Sequence, residues 1–551
     1  MRTNHTEIVN DEGAFILKGI GLGGWALQEP YMLQLSGIAR TQQQIREKIA
    51  GVIGEEATET FYQQWIQNGV TREDIDSLAA WGFNSIRFPM HYRSFTFPIE
   101  EEPVKGENTW IEAGFQLTDS LLAWCKANRM YLMLDLHAAP GGQGNDVAIS
   151  DASEIRLWQS VENQQKTIAL WEKIAERYAH EEWIGGYDIL NEPNYGFENQ
   201  DDKNGCSESQ NQPLRKLLME ITQAIRKVDP NHIIVLSGNC WGNNYNGIFP
   251  LWDKNTVISF HKYWTYNAEK EIEFALKMRE EQDAPLWVSE SGENSNAWFN
   301  DALRLFDKHG IGWCWWTYKR LGLTCPMEVK MPAGYKELLQ YWSGKGEKPS
   351  RESASQVMNQ LLENYKIANT VFHKDYIDAL FRQTQSDEAI PFKKHQLKKS
   401  LTMAAVDYDL GRSGIAYHDA DSANYRSSTQ VSIPWNHGNV YRNDGVDISE
   451  DSIAGYCVGR TEAGEWLQYT IEVEKAGKYS ITLRASHSET SGELYLTVNG
   501  QTTEKVQIPT GKDTVFTGIR LKKQFFKTGK NRLRIYIEKG GFKLQNITLA
   551  T

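Results

Sequence analysis

Between Phe15 and Lys319, eight short β-type runs alternate with longer stretches whose apolar residues recur at helical spacing. The runs are FILKGIGLG (15–23), NSIRFP (84–89), YLMLDLH (131–137), IGGYDILNEP (184–193), IIVLSGN (233–239), VISFHKYW (257–264), LWVSES (286–291) and IGWCWWTYK (311–319). TREDIDSLAAWG, LTDSLLAWCKAN, NQQKTIALWEKIAERYAH and PLRKLLMEITQAIRKVD are helix candidates between them. Strands that read as nearly unbroken apolar runs are buried on both faces, which requires helices outside a parallel sheet. Eight such units in roughly 300 residues predict an α/β fold of the (β/α)8 TIM-barrel type rather than an open doubly wound sheet.

Past the eighth run the texture changes. The loop LGLTCPMEVKMPAGY leads to ESASQVMNQLLENYKIAN and DYIDALFRQ, expected as a closing helix and a short extra one. QSDEAIPFKKHQLKKS is polar and Lys-rich and reads as a linker. From about Thr402 the segments EWLQYTIEV, GKYSITLRAS, GELYLTVNG and NRLRIYIEK alternate as half-buried strands, predicting an antiparallel β-sandwich of the jelly-roll kind. The expected organisation is a catalytic barrel over 1–385, a linker over 386–400 and a β-sandwich over 401–551.

Composition narrows the ligands. Acidic residues number 71 against 59 basic, a formal charge of −12, which argues against nucleic acid as the partner. Nineteen Trp, 24 Tyr and 20 Phe suit a protein that stacks rings on sugars, although aromatic side chains also fill cores. There is no H-E-x-x-H, EF-hand loop, phosphate loop or dinucleotide fingerprint, so neither metal nor cofactor is expected. The six cysteines (Cys125, Cys206, Cys240, Cys314, Cys325, Cys457) are scattered without C-x-x-C spacing and are expected as buried or free thiols. The opening MRTNHTEIVNDEGAF is polar and no run of about 20 apolar residues follows, so neither a signal nor a membrane span is expected. That leaves the compartment open: cytoplasmic if Met1 is native, secreted if a signal was removed. A monomer is expected.

In a barrel of this kind the chemistry lies at the C-terminal strand ends. Polar residues collect there: Arg87, His137, Asn191 with Glu192, His261 with Tyr263, Glu290, and Trp316 with Lys319. Glycosidic cleavage needs one carboxylic acid for the leaving oxygen and a second carboxylate for the anomeric carbon, about 5 Å apart in a retaining enzyme. Glu192 and Glu290 end the fourth and seventh runs, which face each other across a barrel mouth. Arg87 can hold one carboxylate ionised, which assigns Glu290 the nucleophile's role and leaves the less compensated Glu192 its proton. Asn191 can bond a sugar hydroxyl, Tyr263 can bond the nucleophile, and Trp316 offers an indole face. The plainer readings are a helix cap for Asn191, a structural ion pair for Arg87 and core filling for Trp316. Glu293 rivals Glu290 but follows Gly292 in the expected loop. His91 and Glu29 either line the sugar site or satisfy backbone groups.

The segments GIGLGGWALQEPY, GFNSIRFP, LDLHAAPGGQ, LNEP, FHKYW, VSESG and WWTYK together resemble glycoside hydrolase family five, the cellulase family. L-G-G-W…E-P and H-A-A-P-G most resemble its exo-β-1,3-glucanase branch. The resemblance implies retaining hydrolysis of β-1,3- or β-1,4-linked glucans or gluco-oligosaccharides by double displacement, without a cofactor. It implies Glu192 as acid/base and Glu290 as nucleophile, with Arg87, His137, Asn191, His261, Tyr263 and Trp316 in the −1 subsite. Mannan, xylan, β-1,6-glucan or a glycolipid as substrate, and a non-catalytic carbohydrate-binding protein, are the other readings. The seventh segment reads S-E-S-G where the family commonly has G-E-F-G, and the insert GGQGNDVAISDASEIRLWQS would shape subsites.

AAVDYDLGRSGIAYHDADSANYR, GVDI, AGEWLQYTIEV, AGKYSITLRAS and GGFKLQNITL are similar to a family six carbohydrate-binding module. Lys543 stands where many such modules have Asn, TGKDTVF replaces a segment carrying a stacking Trp, and Val406 replaces the Glu of the opening motif. The resemblance therefore implies either weak sugar binding through Tyr456 or another face, or a structural appendage, and a weakened calcium site.

Overall fold

The eight runs form eight parallel strands: β1 Lys18–Gly21, β2 Ser85–His91, β3 Tyr131–Ala138, β4 Ile184–Asp188, β5 Ile233–Leu236, β6 Thr256–Lys262, β7 Leu286–Gly292 and β8 Gly312–Trp316. Each pairs with its sequence neighbours, and β8 returns to β1, so the sheet closes into a barrel with no free edge. The computed structural model describes every residue except 151, 154, 200, 323–324, 422–439, 453 and 489. Parts of three sequence expectations therefore lie outside the described residues: two positions of the insert, two of the loop after β8 and the end of the opening sandwich segment.

Nearly every strand residue is buried, which is why the runs carry so few polar side chains. Leu17, Met133, Ile233, Val235, Val257, Trp287 and Cys314 pack into one cluster inside the barrel. Ile8, from a small antiparallel sheet of Arg2–Asn4, Glu7–Asn10 and Gly13–Ala14, joins that cluster. The predicted helices form, and two of them start on side-chain caps: Thr71 and Asp74 make a capping box for Arg72–Trp81, and Ser160 accepts from the Asn163 N–H at the start of Val161–Tyr178.

One irregularity matters for chemistry. β7 shifts register against both neighbours after Val288: Val288 pairs with Phe260 and Glu290 with His261, leaving Ser289 as the extra residue of a bulge. Bulges re-aim the side chains beside them.

The chain divides into two compact units, Met1–Glu293 with Leu305–Phe372, and Asn294–Arg304 with His373–Thr551. The second contains a β-sandwich. One sheet is built on Trp466–Val473, Gly529–Lys539 and Gly492–Val498, the other on Gly455–Val458, Leu544–Ala550, Gly477–Ser486 and Phe516–Phe526. Tyr469, Ile471, Leu483, Leu494, Leu496, Leu533, Ile535 and Ile547 fill the space between them. The 386–400 stretch differs from the expected linker. Ile390 bridges to Leu410, and His395–Leu397 runs parallel to Ile471–Val473 with Leu397 buried. Its lysines flank the buried Leu397, and composition registers only the lysines.

The cysteine expectation also changes. Cys206 and Cys240, 34 residues apart, form a disulfide with their Cα atoms 4.7 Å apart. They lie on the loops after β4 and β5, adjacent strands whose following loops the barrel brings together. Cys125, Cys314, Cys325 and Cys457 are free and buried, as expected. Among the described residues no helix is long and apolar enough to cross a membrane.

Candidate active site

The C-terminal end of the barrel gathers the polar side chains around one buried cation. Arg87, on β2, is fully enclosed. Its Nη1 donates 2.8 Å to Oε2 of Glu290; its Nε and Nη2 donate 3.0 and 2.8 Å to Oδ2 of Asp188 at the end of β4. Nη2 also donates 2.6 Å to Oδ1 of Asn191 and lies 3.2 Å from Oδ2 of Asp135 on β3. One guanidinium thus serves three carboxylates and an amide.

Asn191 is oriented by that contact. A guanidinium only donates, so the amide oxygen faces Arg87 and the amide nitrogen lies 3.2 Å from Nε2 of His137. His137 in turn has its Nδ1 2.7 Å from Asp135 Oδ2. Burial pushes its pKa down to about 3, so the ring is neutral, donates from Nδ1 and accepts at Nε2. Gln143 donates to the backbone carbonyls of both His137 and Asn191, tying the two strand ends together.

Glu192 lies four residues past the end of β4 with φ +42°, a left-handed conformation that turns its side chain out of the strand path. Its Oε1 is 2.5 Å from His261 Nδ1, and His261 Nε2 is 3.0 Å from Ser289, the bulge residue. Glu290 receives the Tyr263 hydroxyl on Oε1 at 2.7 Å. One carboxylate oxygen each from Glu192 and Glu290 and a ring nitrogen of His261 lie within 4.8 Å of one another. That is the one grouping with metal-ligand spacing among the described residues, and each of its members is already engaged by a neighbour within the protein.

The electrostatics follow from burial and from the division of Arg87. Burial raises the pKa of Glu192 to about 8, with the charge of Arg87 opposing it. Burial also raises Glu290, opposed by the charge of Arg87, and it raises Asp135 to about 7 and Asp188 as well. The expectation that Arg87 simply holds Glu290 ionised is therefore modified: the ion pair is present, but its charge is divided among three carboxylates and does not offset the full cost of burial.

Trp316 ends β8 and stacks parallel to His137 with 5.2 Å between ring centroids; its Nε1 donates 2.9 Å to the Tyr31 hydroxyl. Only 2% of the residue is exposed. Gly21 and Gly23 make room for it, since a Cβ would sit 2.5 Å from the indole at the first and 2.4 Å at the second. The G-I-G-L-G-G-W segment is thus the bed on which the indole lies.

The remaining candidates separate. Glu29 reaches the site, 3.8 Å from His137 Nε2, and burial raises its pKa well above the carboxylate range. Glu293 is bonded by Arg320 at 2.7 Å and by Tyr31, a different set of partners from those of Glu290. His91 accepts from the Arg93 N–H at 3.2 Å, the backbone role foreseen as its alternative. Lys319 is not at the mouth: its ammonium pairs with the buried Asp74 and donates to the carbonyls of Gly69 and Tyr365. Sequence reasoning missed Asp135, Asp188, Tyr31, Ser289 and Gln143. A lone acid inside each of two apolar runs, LDLH and GYDIL, was the available signal, because an unpaired buried carboxylate is too costly to be incidental.

In the sandwich, Lys543 Nζ lies 3.3 Å from Asp451 and 3.2 Å from Asp513, so an ion-pair cluster occupies the position where the resemblance implied Asn. Val406 is buried in the core and supplies no carboxylate. Tyr456 is 38% exposed, its ring 5.0 Å from that of Tyr441.

A family model described as cellulase (glycosyl hydrolase family 5) matches residues 46–322, and one described as carbohydrate binding module (family 6) matches 439–550. The chain is 27% identical over 384 residues to a beta-xylosidase of Phanerodontia chrysosporium, covering 63% of this chain and 76% of that one. It is 24% identical over 277 residues to a probable glucan 1,3-beta-glucosidase A of Aspergillus clavatus, covering 48% and 60% respectively. It is 23% identical over 341 residues to endoglucanase C of Acetivibrio thermocellus, covering 50% and 91%.

Proposed function

This chain belongs to glycosyl hydrolase family 5, the cellulases, whose chemistry is the hydrolysis of β-glycosidic bonds with retention, and on that premise we propose that Glu192 is its acid/base and Glu290 its nucleophile. Glu290 attacks the anomeric carbon while Glu192 delivers its proton to the departing glycosidic oxygen. A covalent glycosyl–enzyme forms. Water then attacks that carbon, giving its proton to the Glu192 carboxylate, and Glu290 leaves.

The observation that carries this reading is the approach of the two carboxylates to within 4.8 Å, close to the spacing of retaining pairs and too close for an inverting enzyme's intervening water. Their surroundings support the division of labour. Glu290 has two donors, Arg87 and Tyr263, that favour its ionised form, and burial keeps the Glu192 proton up to a pH of about 8. Arg87, His137, Asn191, His261, Tyr263 and Trp316 then form the wall of the −1 subsite, Asn191 with its amide N–H held toward the sugar by the Arg87 contact. No cofactor enters.

For substrate we propose the β-1,3- or β-1,4-glucosidic bonds of glucans or gluco-oligosaccharides, in keeping with the glucan 1,3-beta-glucosidase and endoglucanase relatives. A β-xyloside is the second reading, favoured by the beta-xylosidase relative. The enzyme acts as a monomer. The test is product analysis on laminarin, cellulose derivative, lichenan, xylan and mannan, beside Glu192→Gln and Glu290→Gln. Each variant should fold normally and lose at least about a thousandfold in kcat on polymer, and Glu192→Gln should recover most of its first step on a dinitrophenyl glycoside, whose leaving group needs no acid. Near-wild-type turnover of polymer by either variant would refute the assignment.

A further inference from the structure

The loop after β4 carries Glu192 near its start and Cys206 near its end, and it is fastened to the loop after β5 on both sides of Cys240. Asn239, fully buried, grips Tyr195 in that loop. Its Oδ1 accepts from the Tyr195 N–H at 3.0 Å and its Nδ2 donates to the Tyr195 carbonyl at 2.8 Å. On the other side, the Trp241 N–H donates 3.1 Å to the carbonyl of Pro193, the residue after Glu192. The two residues flanking Cys240 thus hold the backbone that follows the acid/base.

Backbone on both sides of this fastening is held in a conformation it would not keep alone. Glu192 has φ +42°, and Cys240 and Trp241 are consecutive left-handed residues, each with φ +54°. A non-glycine residue keeps such angles only where its surroundings impose them. The Cys206–Cys240 disulfide is the covalent part of those surroundings. Gly205, beside Cys206, packs so closely on the Asn239 amide that no Cβ would fit there, and its carbonyl accepts 2.8 Å from Asn244 Nδ2. Cys206 is exposed and Cys240 half-buried, so the bond is open to a dissolved thiol.

We propose that this disulfide is a redox latch on the acid/base: oxidised, it holds the Glu192 loop in place, and reduced by a dithiol it frees the loop and slows the proton-dependent step. The inference rests on the reading of Glu192 as acid/base. In the release, a thiolate of the dithiol attacks Sγ of Cys206, the exposed sulfur, and Cys240 departs as thiolate. The reductant's second thiol then displaces Cys206 and closes the reductant's own disulfide, so the protein gains two electrons and two protons. Cys240 and Trp241 relax from their left-handed conformations, and the Trp241 N–H withdraws from Pro193. A catalytic group misplaced by about 1 Å can cost about a hundredfold in rate.

The test compares kcat/KM, which reports the first displacement, on two aryl β-glycosides. A phenyl glycoside needs the proton of Glu192 for its leaving group, and a dinitrophenyl glycoside does not. The oxidised full chain, the same chain reduced with dithiothreitol, Cys206→Ser and Glu192→Gln are measured, with circular dichroism as the check on folding. Reduction should lower kcat/KM at least about tenfold on the phenyl glycoside and less than about twofold on the dinitrophenyl one, and reoxidation should restore it. Cys206→Ser should keep the lower value with or without dithiothreitol. The reduced native chain tests the latch even where that variant does not fold. Unchanged rates on reduction, an equal fall on both glycosides, or unfolding of the reduced chain would overturn the latch while Glu192→Gln still shows the contrast between the two glycosides. Equal losses on both glycosides in Glu192→Gln would instead overturn the acid/base reading, and the latch with it.

Discussion

Replacing Tyr263 by Phe removes a single oxygen, the donor 2.7 Å from Oε1 of Glu290, and leaves Oε2 on Arg87 at 2.8 Å. A buried hydrogen bond to a charged acceptor contributes about 1.5–3 kcal/mol. At 1.36 kcal/mol per pKa unit, its loss raises the Glu290 pKa by about 1–2 units, because the bond favours only the ionised form. Glu290 already titrates above the ordinary carboxylate range, chiefly through burial. The acid limb of kcat/KM, which reports Glu290 in the free enzyme, should therefore move up by about 1–2 units, while the basic limb, set by Glu192 near 8, stays in place. The bell narrows from its acidic side and its maximum drops. The assay is kcat/KM for an aryl β-glucoside from about pH 4 to about pH 10, with circular dichroism as the check on folding. A loss of packing alone would scale the whole curve down with both limbs fixed. An unmoved acid limb would refute the argument that Tyr263 governs ionisation of the nucleophile, and a moved basic limb would show that the two glutamates have been assigned the wrong way round.

Three further perturbations separate the supports of the site. Gly23→Ala brings a methyl within 2.4 Å of the Trp316 indole and must displace it, so kcat/KM should fall at least about tenfold with a change in tryptophan fluorescence; unchanged kinetics would mean that the indole does not shape the subsite. Asp188→Asn removes the charge of one of the three carboxylates that share Arg87 but keeps an acceptor oxygen for it, so no more than about 1.5–3 kcal/mol of stability should be lost in urea unfolding. The acid limb should also move downward in that variant, as more of the Arg87 charge reaches Glu290. Cys206→Ser opens a closure of 34 residues, for which loop entropy gives about 3–4 kcal/mol, and dithiothreitol should destabilise the native protein but not this variant.

The barrel was legible because its signal is redundant. Eight apolar runs must all be buried, and the alternation with helices leaves few ways to do it. The strand ends were less so: 184–193 reads as one run, yet β4 stops at Asp188 and Ile189–Pro193 forms the loop that carries Glu192. Lys319 shows why position alone misleads. It follows β8 as the site residues follow their strands, but its partner is Asp74, on a helix far back in the sequence, and no local pattern announces that pairing. The disulfide has the same character, since its two cysteines become neighbours only through adjacent strands.

The chemistry of the site was legible residue by residue and not in its charge balance. Each of Arg87, Glu192 and Glu290 stands out as a polar group ending an apolar run, but which carboxylate keeps a proton depends on how many share the cation. Asp135 and Asp188 read as isolated acids within strands until the barrel places both on Arg87 beside Glu290. One buried guanidinium cannot compensate those three and Glu192 together, so the least directly compensated group retains its proton most strongly. Glu192 has no hydrogen bond from Arg87 and faces a neutral imidazole instead, because burial lowers the pKa of His261. The same division that weakens the grip of Arg87 on Glu290 thus keeps Glu192 an acid at neutral pH, and a retaining mechanism requires both conditions at once.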